Sequence, residues 1–221
     1  MSNVIKISQD TVTERTPSSF EILCDVYERA PVIKTGKHLT TINELCDQVP
    51  ALRPATLRAA VEEALEHGTF GANTILTEED KGAPIAAAMS LAVDLPLSIA
   101  RWYPYDLPHQ VKVEIASEYF TGSLYMNGVV PGDKVLIIED TLSTGGTMIA
   151  LIEAVRKVGA DVAGAIAIIE KVGNNGHQNV LSKTGVDVKT CVQIDVREGG
   201  VSVFPRRTCH PSANQMVATG S

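Results

Sequence analysis

Long apolar runs are missing from this chain of 221 residues. None approaches the roughly 18 uninterrupted apolar residues of a bilayer-spanning helix, so no membrane partner is expected. The opening stretch, MSNVIKISQDTVTER, has no apolar h-region, and no secretory signal is expected from it. Cysteine is sparse: Cys24, Cys46, Cys191 and Cys209 stand far apart, with no CxxC pair and no metal-ligand spacing. That pattern predicts free thiols in a reducing, cytoplasmic setting. Positive charge is outnumbered, 19 basic against 26 acidic side chains for a net charge of −7, which argues against a nucleic-acid partner. Two nucleotide cradles are absent as well, the GxxxxGK(S/T) P-loop and the GxGxxG dinucleotide fingerprint.

What is present reads as a globular protein, 44% hydrophobic and 20% charged. The length suits one domain, placed at 18–204 between a loose extension (1–17) and a polar, mobile tail (205–221). PATLRAAVEEALEHG sets Leu57, Val61, Ala64 and Leu65 at helical spacing, with Pro54 near its start and Gly68 at its end. NTILT (73–77), an Ala-rich segment (83–93) and PLSIA (96–100) follow as strand, helix and strand. From Lys134 the signal sharpens. KVLIIED is a continuous apolar run closed by two acids, the pattern of a strand buried on both faces. MIALIEAVRKVGA is an amphipathic helix stopped by Gly159, and VAGAIAIIEK is another buried strand. Together they form a βαβ unit, with a parallel pair and a right-handed crossover. The predicted fold class is therefore α/β, an open, mostly parallel sheet flanked by helices. VDVKTCVQIDV (186–196) and VSVF (201–204) alternate and are expected as closing edge strands. Residues 102–125 hold six of the ten aromatic side chains yet show no strong period. Such a connection reads as an active-site lid or as a β-hairpin over one sheet edge, and the two are compatible.

Open α/β sheets bind ligands beyond the carboxyl ends of their strands, which points to residues 139–147, EDTLSTGGT. Glu139 and Asp140 leave the strand side by side, where carboxylates accept hydrogen bonds from a vicinal diol. Thr141, Ser143, Thr144 and Thr147 offer hydroxyls around Leu142. Gly145 and Gly146 let backbone amides converge on an anion. The helix that follows directs its N-terminal amides to the same point. The set suits a phosphate monoester carried on a ribose. Taken singly, the glycines are a tight turn and the acids a solvated strand end; nine residues in this order are specific.

VLIIEDTLSTGGT resembles the 5-phosphoribosyl 1-pyrophosphate (PRPP) signature of the type I phosphoribosyltransferases. From about residue 19 to 204 the order of segments resembles archaeal hypoxanthine phosphoribosyltransferases and, more loosely, adenine and xanthine phosphoribosyltransferases. PVIKTG (31–36), GAPIAAAMSLAVDLP (82–96), SLYMNGVVPGDKVLIIEDTLSTGGT (123–147) and the IIEK to KTG stretch (168–185) carry the likeness. The resemblance implies a five-stranded parallel core, a flexible lid and a hood built from both chain ends, in a homodimer. It also implies phosphoribosyl transfer from PRPP to a purine base, with Mg²⁺ entering on PRPP near Glu139 and Asp140. Residues 141–147 would grip the 5-phosphate while Glu139 and Asp140 hold the ribose hydroxyls. Many relatives carry Asp at the first acid, so Glu139 is one methylene longer.

EEDKG (78–82) takes the place of the family's pyrophosphate loop. Lys81 and Gly82 match its small or basic pattern, and Glu78 and Asp80 depart from it. As plain residues these acids read equally as a solvated loop. On the lid, the resemblance makes Glu118 the candidate general acid/base, with Lys112 and, ranked below it, His109 closing over pyrophosphate. Ile169, Glu170 and Lys171 resemble the I-E-K that meets the base in xanthine-type relatives. Lys171 has only donors, which favours a 6-oxopurine such as hypoxanthine or guanine over adenine, unless it is an exposed strand-end charge. Two alternatives stay open. One is a non-catalytic PRPP-sensing regulator of the same fold, against which stands the lack of room for a winged helix in the 53 residues before Pro54. The other is a phosphoribosyltransferase for an unusual base.

Overall fold

The computed structural model describes residues 15–35, 38–116 and 121–205. The extension up to residue 14, the tail from residue 206 and the lid residue Glu118 lie outside them. Ser18 opens helix α1 (Ser19–Glu28) through a capping box with Glu21. A hairpin of β1 (Val32–Thr35) and β2 (His38–Thr41) leads to a single turn, α2 (Glu44–Asp47). Asn43 caps that turn, its Oδ1 accepting from the amides of Leu45 at 2.9 Å and Cys46 at 3.0 Å. Helix α3 (Pro54–Leu65) starts on a proline, whose missing N–H would have had no partner there. Then come β3 (Thr74–Glu78), α4 (Ala83–Val93) and β4 (Leu97–Ala100). A second hairpin, β5 (Val111–Ala116) and β6 (Thr121–Met126), precedes β7 (Lys134–Leu142), α5 (Gly146–Val158) and β8 (Asp161–Lys171). The described chain ends with α6 (Gly176–Thr184), β9 (Lys189–Arg197) and β10 (Gly200–Val203).

Six of these strands form one sheet in the order β10-β9-β8-β7-β3-β4. The pairs from β9 through β4 are all parallel, as an α/β fold requires, and β10 closes antiparallel to β9. Of the two strands expected at the edge, only β10 lies there. The alternation in β9 has another cause: Val192 and Ile194 are buried toward α1 and α3, while the opposite face is only partly covered. From β3 the chain crosses through α4 to β4, then returns to β7 on the other flank of β3 before α5 carries it to β8. The winding direction reverses between β3 and β7, and at such a switch point the sheet opens a crevice.

Successive strand residues point to opposite faces, so each strand feeds two cores. Leu76, Ile137, Ala165 and Ala167 pack with α5 and the β5–β6 hairpin. Ile75, Leu136, Ile138, Ile166 and Ile168 pack with α1, α3 and α4. The aromatic-rich connection does contain a hairpin, and it lies against α5 as well as β4. Its β5 strand has the alternation that the longer segment concealed, Val111, Val113 and Ile115 buried with Lys112 and Glu114 outward.

The hood is tied to the sheet domain by Glu44, which is only 4% exposed. Its carboxylate accepts from the Arg53 amide at 3.1 Å, from Arg53 Nε at 2.9 Å and from Thr56 Oγ1 at 2.8 Å. It thereby caps α3 from a distance. The Arg53 hydrogen bonds, more than any opposing burial, hold its pKa below the ordinary carboxylate value. A depressed acid contributes stability above its unfolded pKa and loses it as pH falls through the folded one. Glu44→Gln should cost about 1–2 kcal/mol at neutral pH, trimmed because Arg53 itself is solvated. In urea titrations the gap from wild type should close below pH about 4; a gap that persists there would assign the loss to packing.

Candidate active site

A cleft of about 180 Å³ sits at the switch point, lined by the carboxyl ends of β3, β7 and β8. From β7 and the turn after it come Glu139, Asp140, Thr141, Ser143, Thr144, Gly145, Gly146 and Thr147. Glu78, Asp80 and Lys81 face them from the end of β3, and Lys171 from the end of β8. The hood adds Thr40, Thr41 and Cys46, and the start of the hairpin connection adds Trp102.

The turn after β7 is held in an unusually constrained way. Gly145 has φ +84°, a left-handed conformation that a side chain would strain. It leaves α5 without a side-chain cap, so no protein group competes from that position for the helix N-terminus. Behind the turn stand α6 and the residues before it. Asn174 Nδ2 donates to Ser143 Oγ at 2.7 Å, and Asn179 Nδ2 to the Thr144 carbonyl at 3.0 Å. Gly176 lies so close that a Cβ on it would come within 2.2 Å of the Ser143 carbonyl oxygen. The turn is therefore braced from outside while Ser143, Thr144 and Thr147 line the cleft.

The two acids differ sharply in environment. Thr141 Oγ1 donates to Asp140 Oδ2 at 2.9 Å. Glu139 is 3% exposed, and its Oε1 has no hydrogen-bond partner. Burial, then the charges of Asp140 and Glu78, push its pKa well above the carboxylate range. Donors from a bound diol or a hard cation would relieve this. Among the described residues no three His, Cys, Asp or Glu side chains converge to hold a metal alone. Mg²⁺ is commonly held by one or two carboxylates together with substrate phosphates, and the Glu139–Asp140 pair fits that mode.

Of the two acids expected to depart from the loop pattern, Glu78 is not solvated, whereas Asp80 is. Glu78 is 6% exposed and turns back into its own backbone. Its carboxylate accepts from the amides of Asp80 at 2.6 Å, Lys81 at 3.0 Å and Gly82 at 3.0 Å. Burial raises its pKa although the Gly82 and Asp80 amides pull it down. Glu79 accepts from the Trp102 amide at 2.7 Å and pairs with Arg101 at 3.0 Å, and Asp80 is exposed. Lys81 Nζ pairs with Asp47 of the hood at 2.8 Å. Burial opposes its charge, but Asp47 outweighs it and raises the pKa above that of an ordinary lysine.

Other expected site residues lie elsewhere. Lys112 projects from the outer face of β5, where Nζ pairs with Glu114 at 3.0 Å, and it does not line the cleft. His109 stands in the turn before β5 at φ 67°. Leu142 and Ile169 are fully buried in the two cores. Glu170 points along the sheet, accepting from Thr190 at 2.9 Å and Gln193 at 2.7 Å. Lys171, 7% exposed, is no surface charge; it also borders a second cleft, of about 220 Å³, with His38, Asn174 and Asp195. Thr40, Thr41, Cys46, Trp102, Asn174, Gly176 and Asn179 were not foreseen. Each reaches the site from a distant stretch of chain, and none sits in a motif.

Residues 53–209 match the family model described as a phosphoribosyl transferase domain. The chain is 40% identical over 184 residues to the hypoxanthine/guanine phosphoribosyltransferase of Methanocaldococcus vulcanius, covering 83% of this chain and 100% of that one. The same coverage holds at 38% identity for the hypoxanthine/guanine phosphoribosyltransferase of Methanocaldococcus jannaschii. Among solved structures, adenine phosphoribosyltransferase from Rhodothermus marinus superposes with TM-score 0.65 at 24% identity, covering 79% of this chain and 98% of that one. The Giardia lamblia adenine phosphoribosyltransferase complexed with 9-deazaadenine gives TM-score 0.67 at 20% identity, covering 80% and 98%. At those identities the structures speak for the fold alone.

The partnerless Glu139 carries a stability prediction. A raised acid keeps, in the folded state, a proton that the unfolded chain has lost, so wild-type stability falls as pH rises above about 4. Glu139→Gln removes that titration. In thermal melts without ligand the variant should be the more stable by about 1 kcal/mol or more at pH 7.5, with the difference vanishing near pH 4. A variant less stable than wild type at both pH values would show that the carboxylate is satisfied.

Proposed function

The chain belongs to the phosphoribosyl transferase domain family, and from that premise we propose that it is a PRPP-dependent purine phosphoribosyltransferase. The observation that carries this reading is the braced turn 143–147 beside Glu139 and Asp140, at the switch point of the sheet. Hydroxyls and helix-terminal amides of Thr141 to Thr147 receive the 5-phosphate. Glu139 and Asp140 accept from the ribose hydroxyls. The C1–O bond to pyrophosphate breaks, with the electron pair leaving on the pyrophosphate, and a ring nitrogen of the base bonds to C1 and sheds its proton. Positive charge on the ribose in the transition state faces the carboxylates, which is where preorganised electrostatics act. Glu139 and Asp140 would hold Mg²⁺ arriving with PRPP, which would supply charge neutralisation on the pyrophosphate. The amides of Asp80, Lys81 and Gly82 become available to that pyrophosphate once the Glu78 carboxylate swings out of them. Glu118, between β5 and β6 in the sequence, is the proposed acceptor of the base proton.

For the base we propose a 6-oxopurine. Both hypoxanthine/guanine-named relatives and the buried Lys171, which has only protons to offer, support this. A homodimer in the cytoplasm is the proposed working form, in keeping with the free thiols of Cys24, Cys46 and Cys191.

The test is pyrophosphate release from purified protein given Mg²⁺, PRPP and a panel of bases. Hypoxanthine or guanine should be used at least about tenfold better than adenine, because an ammonium facing a 6-amino group leaves a buried donor unmatched. Lys171→Ala should lower kcat/KM for 6-oxopurines far more than for adenine. Equal loss on every base, or a wild-type preference for adenine, would sink the assignment of Lys171; binding of PRPP without turnover on any base would replace the enzyme by a sensor.

A further inference from the structure

Two buried side chains of the hood, Tyr27 on α1 and Cys46 on α2, lead to Thr141 at the head of the PRPP turn. Tyr27 is 1% exposed and Cys46 6%. Tyr27 Oη lies 3.1 Å from Cys46 Sγ, and Cys46 Sγ lies 3.5 Å from Thr141 Oγ1. The Thr141 hydroxyl donates its proton to Asp140 Oδ2 at 2.9 Å. Either atom can donate in the two sulfur contacts; with the Thr141 proton given to Asp140, one arrangement has Thr141 Oγ1 accepting from the thiol and the sulfur accepting from the tyrosine hydroxyl. Each of the three donors then has an acceptor, and the run ends on a carboxylate, where a hydrogen bond is strongest.

We propose that Tyr27 and Cys46 are positioning residues for PRPP, a hydrogen-bond chain that fixes the Thr141 hydroxyl and through it the Asp140 carboxylate. The proposal rests on the reading of Asp140 and Thr141 as PRPP-binding groups. Without the chain, the Thr141 hydroxyl is free to rotate away and Asp140 loses the partner that sets its rotamer. The same hood turn holds the facing loop, since Asp47, next to Cys46, pairs with Lys81. The thiol does not act as a nucleophile or redox sensor: burial, then the charge of Asp140, raises its pKa and keeps it protonated. Burial, and after it the interaction with Cys46, keep the proton on Tyr27.

Calorimetric titration of the full chain with PRPP and Mg²⁺ tests this in Cys46→Ala and Tyr27→Phe, alongside KM for the base. Cys46→Ala should weaken PRPP binding by about five- to tenfold, the scale of one net hydrogen bond, and Tyr27→Phe by about two- to threefold, with KM for the base unchanged. Should Cys46→Ala fail to fold, Tyr27→Phe, which removes one oxygen and no volume elsewhere, carries the test by itself. The effect of either variant should disappear in a Thr141→Val background, because the link to Asp140 is already cut. Unchanged PRPP affinity in the folded single variants, or the same loss with and without the Thr141 hydroxyl, would overturn the positioning role and leave hood packing. A wild-type chain that binds no PRPP would instead overturn the site reading beneath it.

Discussion

Concentrating carboxylates at the buried end of a central strand is the constraint around which the rest of this molecule is arranged. Glu139 and Asp140 lie near the carboxyl end of β7, and Glu78 ends the neighbouring β3, so three acids meet where water is mostly excluded. Like charges at such a point oppose one another and burial opposes each, which is why Glu139 and Glu78 both lie above the ordinary carboxylate pKa. The protein offsets the cost differently for each. Glu78 has three amides, Asp140 has a hydroxyl, and Glu139 Oε1 has none. An arrangement left one donor short is suited to a ligand that arrives with hydroxyls and a cation, and it gains in binding what it forgoes in stability.

The fold makes that arrangement tolerable by supporting it from outside the sheet. On one side, α6 presses Gly176 and two asparagines against the turn that follows β7. On the other, the hood supplies Cys46 and Asp47, the first to Thr141 and the second to Lys81. The hood in turn is anchored by Glu44 to the start of α3. Loops that must hold polyanions without many cations of their own need this kind of bracing, since precise placement of amides and hydroxyls substitutes for charge.

Legibility in the sequence followed local pattern. The β7–α5–β8 unit was plain because its strands are long apolar runs and Gly159 ends its helix, with the amides of Gly159 and Ala160 returning to Arg156 and Val155. Helix α6, GHQNVLSKT, was not, since only Gly176, Val180 and Thr184 are buried and no apolar stripe announces it. The single turn α2 and the β1–β2 hairpin are shorter than any period that a window could detect. In the site, the acids, hydroxyls and glycines of 139–147 were readable because they are contiguous. Lys171 was readable as a residue type, but its burial was not. The outward direction of Lys112 was hidden for a related reason: β5 alternation places it beside Glu114, and that alternation was diluted by the aromatic flanks.

The phosphoribosyl transferase domain model matches from residue 53, while the 184-residue alignment to the archaeal relatives reaches before it, and the two stretches contribute different layers of the site. The sheet, its switch point and the turn after β7 all lie inside the matched region, and they account for a phosphoribosyl site in general. Thr40, Thr41, Cys46 and Asp47 lie before it, yet they line the cleft or grip its two anion-facing loops. Glu78 shows why both layers are required. Alone, an acid at the head of an anion loop reads as a defect; in the folded chain it fills the amides of its own turn while Asp47 restrains Lys81 beside them. The backbone shape of the loop is thus held by an internal carboxylate, which on the proposed reading has to be displaced when an outside anion arrives. Residue type at this position is legible in one dimension, but whether it repels the ligand or holds its place depends on a rotamer that only the packed hood and sheet determine.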